Sequence, residues 1–231
     1  YKVEMERVYG FADSRVGSVF LQARGEESHA GEQVTNTFLL MPGIRFSAMH
    51  YDDPLRPRKG FQYQVEVRGT HPSMGSSTGF LQSLASADLV IPLPLEFALI
   101  GRARVGGTWQ NDPSRDLPVS VRFFAGGDRS VRGYGYQALG PVDSKGTVVG
   151  GRNLLVGAAE LERYIGRDWG AAIFYDVGNA FDNLNDWSAA KGAGFGIRYY
   201  SPIGPIKLDV ARQLNVAEPD TRIHLTIGVG L

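Results

Sequence analysis

Apolar and polar residues alternate with period two along most of the chain. Leu95, Phe97, Leu99, Gly101, Ala103, Val105, Gly107 and Trp109 share one face, and Glu96, Ala98, Ile100, Arg102, Arg104 and Thr108 the other. Phe61, Tyr63, Val65 and Val67 alternate with Gln62, Gln64, Glu66 and Arg68. Near the end, Ile223, Leu225, Ile227, Val229 and Leu231 alternate with Arg222, His224, Thr226, Gly228 and Gly230. This is the signature of strands with one apolar face. It predicts eleven strands, at about 1–9, 15–26, 37–50, 59–71, 79–91, 95–109, 153–166, 168–179, 192–201, 205–213 and 222–231. Many exceed the 5–6 residues usual in soluble sheets and reach the roughly 9–11 that a tilted membrane strand needs.

The connections alternate in length. Short ones fall at 10–14, 51–58, 92–94, 166–168 and 202–204, and long ones at 27–36, 72–78, 110–152, 180–191 and 214–221. Short periplasmic turns and long outer loops are the habit of membrane barrels. The pattern therefore predicts an all-β, antiparallel, up-and-down transmembrane barrel in a single domain over 1–231. A last strand running down to the periplasm, counted back over eleven strands, starts residue 1 outside. Single-chain bacterial barrels have an even strand number, so the expectation is an incomplete barrel whose first strands are absent.

Composition narrows the alternatives. Cys is absent from the 231 residues, which excludes disulfides and thiolate chemistry. Lys+Arg and Asp+Glu are both 24, so no basic footprint for nucleic acid exists. Gly is 30 of 231, nearly twice the usual share of roughly 7%. Gly75-Ser76-Ser77-Thr78-Gly79 fits a hydrolase nucleophile elbow, but that motif needs a helix after it and a strand follows here. His29, His50, His71 and His224 lack metal-ligand spacing, and Asp52-Asp53 beside Arg56, Arg58 and Lys59 reads as a self-paired turn. No catalytic set, metal or cofactor is expected.

The 110–152 segment carries the most information. It holds Phe123-Phe124-Ala125-Gly126-Gly127-Asp128-Arg129-Ser130-Val131-Arg132-Gly133-Tyr134, too apolar for an exposed loop. It resembles the lumenal loop signature of the bacterial outer-membrane assembly superfamily, which includes BamA, TamA and the two-partner secretion transporters. Leu161-Glu162, Phe174-Tyr175-Asp176-Val177-Gly178 and Ser201-Pro202-Ile203-Gly204-Pro205-Ile206-Lys207-Leu208-Asp209 match further elements in order. The Gly-Gly-Asp-Arg-Ser form and the Pro-Ile-Lys-Leu-Asp run look most like TamA. The resemblance implies a barrel of about sixteen strands in a Gram-negative outer membrane, preceded by POTRA domains. It implies insertion or translocation of autotransporter-like outer-membrane clients through a lateral seam, and an inner-membrane TamB-like partner reached through POTRA domains. A patatin-fused or two-partner secretion pore is the alternative within the superfamily. A passive porin and a soluble ligand-binding barrel lie outside it.

The resemblance also implies roles. Arg132 is expected to bridge Glu162 and Asp176, both lumenal by strand phase. A guanidinium suits this because it stays charged when buried. Gly126, Gly127, Arg129, Val131 and Gly133 complete the loop motif, with Asp128 capping the turn before Arg132 and Tyr134 packing in the lumen. Ile223, Leu225, Ile227, Gly228, Gly230 and Leu231 would form the seam strand, its glycines either weakening inner-face packing or making room for the loop.

Overall fold

A computed structural model describes residues 1–11, 14–30, 33–110 and 117–228. Eleven strands form one sheet in sequential order: β1 (Lys2–Phe11), β2 (Arg15–Ala30), β3 (Gln33–Tyr51), β4 (Gly60–Thr70), β5 (Phe80–Leu93), β6 (Phe97–Gln110), β7 (Asn153–Ile165), β8 (Trp169–Phe181), β9 (Ala190–Ser201), β10 (Gly204–Leu214) and β11 (Thr221–Ile227). Every pairing is antiparallel. The sheet is an up-and-down meander with β1 and β11 at its edges.

Two differences from the sequence pattern have a clear local cause. The stretch 27–36 is not a loop. Pairing continues from Glu27↔Asn36 to Ala30↔Gln33, so β2 and β3 form a long projecting hairpin. Its polar composition marks strands beyond the apolar belt. β6 starts at Phe97 rather than at 95, because Leu95 and Glu96 take φ values of 62° and 61°. Two consecutive left-handed residues make the tight hairpin turn whose twist suits antiparallel strands.

Alternation sorts side chains between two faces. Ile44, Val65, Leu81, Val105, Leu155, Ile173, Phe195, Ile197, Leu225 and Ile227 all stand exposed on the outer face. So continuous an apolar surface is foreign to a soluble monomer and fits a lipid-facing belt. Aromatic rings gather on this face toward the short turns. Trp169 and Tyr199 have centroids 4.9 Å apart, and Phe11, Phe46, Tyr63 and Phe61 form a chain of neighbours. The inner face instead carries charges, glycines and the packed loop.

Candidate functional site: a loop seated inside the sheet

The connection between β6 and β7 folds back against the inner face. It is braced by its own backbone bridges, Phe123 with Gly151 and Ala125 with Leu139. Leu117 and Val121 bury with Leu39, Met41 and Phe80 of β3 and β5. Farther on, Ala125, Val131 and Tyr134 bury with Leu154, Val156 and Ala180 of β7 and β8. This apolar anchoring explains why Phe123, Val131 and Tyr134 belong to a loop. Gly126 and Gly133 have φ of 96° and 92°, conformations that favour glycine. A side chain at Gly126 would also strike the Gly135 carbonyl, 2.5 Å from its Cβ position. The turn is closed by Ser130, whose hydroxyl accepts from the Gly126 N–H at 3.0 Å.

Arg132 is delivered into a carboxylate cluster and is 2% exposed. Its Nε and Nη2 donate to the two oxygens of Asp176 at 2.8 and 2.9 Å. Its backbone N–H donates to Asp176 Oδ2 at 3.0 Å. Nη1 reaches Glu160 at 2.9 Å and Asp209 at 3.0 Å. Arg198 binds the same two acids from the other side, at 2.7 Å to Glu160 and 2.5 Å to Asp209. Arg102 stands 3.6 Å from Glu160. Three carboxylates thus face three guanidiniums, the balance that makes buried charge tolerable. The Phe174 ring lies under Arg132, its centroid 3.4 Å from the guanidinium carbon. Burial works against the charge on Arg132, but Asp176, Glu160 and Asp209 outweigh it and hold its pKa above the ordinary guanidinium value.

Three inner-face glycines of β9 make room for this cluster. A side chain would meet the Arg132 carbonyl at Gly192, the Phe174 ring at Gly194 and the Asp209 carboxylate at Gly196.

An Omp85 superfamily domain matches residues 6–231. The chain belongs to that superfamily. It is 26% identical over 171 residues to the outer membrane protein assembly factor BamA of Nitratidesulfovibrio vulgaris, covering 71% of this chain and 22% of that protein. The structure of BamA from Haemophilus ducreyi lacking POTRA domains 1–3 superposes with a TM-score of 0.82 at 15% identity, over 99% of this chain and 54% of that one. CdiB from Acinetobacter baumannii superposes at 0.61, also at 15% identity, over 97% of this chain and 41% of that one. The chain thus spans about a fifth of the curated relative's length, about half of the BamA chain and about two fifths of the CdiB chain.

Within this Omp85 chain, some site residues stand where the sequence reading put them and others do not. Arg132 and Asp176 meet, but Glu160 takes the place expected of Glu162. The register explains the exchange. Asp176 pairs with Ala158 across β7 and β8. Glu160 is therefore two residues, about 7 Å, along β7 from that rung, and Glu162 four residues, about 13 Å. Strand phase puts both acids on one face and cannot choose between them. Glu162 instead accepts from the Tyr200 hydroxyl at 2.5 Å.

Asp128 does not cap the turn; it pairs with His224 of β11. Arg129 is on the loop's surface beside Arg102 and Arg104, lining a cavity of about 230 Å³. Val131 and Tyr134 are core residues, while Gly127 (φ 101°) completes the turn. Ile223, Leu225 and Ile227 face outward, at 73%, 58% and 64% exposed. Gly228 lies just past the paired residues with φ 143°, and a Cβ there would meet nothing within 4 Å. Gly230 and Leu231 fall outside the described residues.

Glu160, Arg198, Asp209, His224 and Gln213 were not singled out from the sequence. Asp209 closes the matched Pro-Ile-Lys-Leu-Asp run, and alternation alone puts Arg198 and His224 on the inner face. Those signals were available. Ser77, centre of the elbow-like motif, accepts from the Phe38 N–H at 3.0 Å and so ties its loop to β3.

Proposed function

We propose that the chain is the barrel portion of a Gram-negative outer-membrane assembly or translocation factor. It inserts or translocates client outer-membrane β-barrel proteins, and does so without enzymatic chemistry or a cofactor. The observation that carries this reading is the motif loop seated on the inner face of β7–β11, pinned by Arg132 to acids on three of those strands. Superfamily membership and the outer apolar belt support it. The loop fills lumen beside β7–β11, which speaks against a passive porin. In this reading the edge of the sheet pairs with an incoming strand, as extended segments add to exposed edges elsewhere.

The finer assignment is TamA type, with autotransporter-like clients and a TamB-like partner engaged through POTRA domains. It rests on the Gly126-Gly127-Asp128-Arg129-Ser130 and Pro205-Ile206-Lys207-Leu208-Asp209 runs. The alternative is a two-partner secretion pore, favoured by the superposition on CdiB. The test is reconstitution of the full-length protein in phospholipid vesicles with an unfolded client barrel. Protease-protected, heat-modifiable client is the expected product. Release of a soluble passenger across the membrane, with no client inserted, supports the secretion pore instead.

A further inference from the structure

His224 occupies a place that neither the family motif nor the carboxylate cluster accounts for. It is on the inner face of β11, the edge strand, and is 7% exposed. Its two ring nitrogens touch two different parts of the motif turn. Nε2 accepts the Gly133 N–H at 3.0 Å, and Nδ1 pairs with the Asp128 carboxylate. An acceptor at Nε2 and an anion at Nδ1 fix one arrangement, a neutral imidazole carrying its proton on Nδ1. Next to it, Gln213 of β10 donates to the Gly133 carbonyl at 3.0 Å. Gly133 is thus gripped at both its N–H and its C=O by the last two strands. Among the described residues, β11 pairs with β10 alone.

We propose that His224 is a positioning residue that latches the motif loop to the edge strand, so that the loop sets how firmly β11 is held. The inference deepens the assembly reading and rests on it only where clients are concerned.

Hydrogen exchange on the full-length protein, read by mass spectrometry, tests the latch. His224→Ala is expected to speed exchange in 126–136 and 221–227 about tenfold and to leave β1–β5 within about twofold. His224→Gln keeps a side-chain oxygen for the Gly133 N–H and restores most of the protection in 126–136. Should His224→Ala fail to fold, by loss of heat-modifiable migration, His224→Leu, which fills the site without an acceptor for the Gly133 N–H, is compared with His224→Gln instead. A folded His224→Ala or His224→Leu with unchanged exchange in 126–136 and 221–227 overturns the proposal. Client insertion is measured in parallel. Faster exchange in the variant, with no client inserted even by the wild type, upholds the latch and counts against the assembly reading alone.

Discussion

The inner face has two halves that handle charge differently. In β1–β5, Arg45 joins Glu6 at 2.7 Å and Glu66 at 2.9 Å, yet its side chain is 26% exposed. Lys2 beside it is 50% exposed and Glu4 21%, and Arg68 donates to Gln82 at 2.9 Å with the Glu66 carboxylate only at 3.9 Å. This is a ladder along open strands, screened by water. In β6–β11 the loop excludes water, and Arg132 and Arg198 are 2% and 0% exposed among Glu160, Asp176 and Asp209. The same residue types give a solvated surface in one half and a rigid lock in the other. Covering by the loop makes the difference, since attraction between charges strengthens as water is removed and unpaired charge becomes costly.

Truncating the central arginine of each half separates them most sharply. Arg132→Ala strands buried Asp176 and leaves Glu160 and Asp209 to Arg198, and is expected to cost about 3–5 kcal/mol, whereas Arg45→Ala costs about 1 kcal/mol or less. Chemical unfolding of the full-length barrel in detergent measures both. Within the back half, Glu160→Gln removes a charge shared by three arginines and should cost about 3 kcal/mol. Glu162→Gln leaves an acceptor for Tyr200 and should cost about 1 kcal/mol or less. A reversed order would mean that Arg132 turns to Glu162 after all.

The fold was largely legible from alternation, because strands buried on one side write their phase into the sequence. Eleven strands and the long 110–152 connection could be read from it. The 27–36 hairpin could not, since strands that project past an apolar belt lose the apolar half of the signal. The site was legible down to Arg132 and Asp176, which lie in two separate motifs that the family resemblance brings together. The partner acid depended on how β7 and β8 are registered, which alternation does not encode. His224 was hidden differently. A lone histidine on a polar face has no signature until the loop is known to end against it.

Packing distinguishes the halves at a smaller scale. Gly196→Ala drives a methyl into the Asp209 carboxylate and the Leu208 carbonyl, and overpacking of this kind costs about 1–3 kcal/mol. Gly101→Ala on the outer face of β6 meets open space and should be close to neutral. Thermal unfolding of the two variants compares them directly.

The smallest expected effect lies in the turn between β3 and β4. Asp52 accepts the N–H groups of Asp53, Arg58 and Lys59 at 3.0, 2.9 and 3.1 Å. Burial pushes its pKa up, but the N–H groups of Lys59, Arg58 and Asp53 prevail and hold it below the ordinary carboxylate value. A depressed folded pKa means stabilisation that is complete above the unfolded value and lost as pH falls through the folded one. Amide exchange at Arg58 and Lys59, corrected for its intrinsic pH dependence, should therefore lose protection only below about pH 4.

The central claim is that Arg132 locks the loop to the wall through Asp176. A double-mutant cycle measures that lock directly, using Arg132→Ala, Asp176→Ala and the double variant, with unfolding free energy as the readout and the Arg45 and Glu66 cycle as reference. The account predicts a coupling of at least about 2 kcal/mol for Arg132 and Asp176, against about 1 kcal/mol or less for Arg45 and Glu66. Equal, small couplings in the two halves would contradict it.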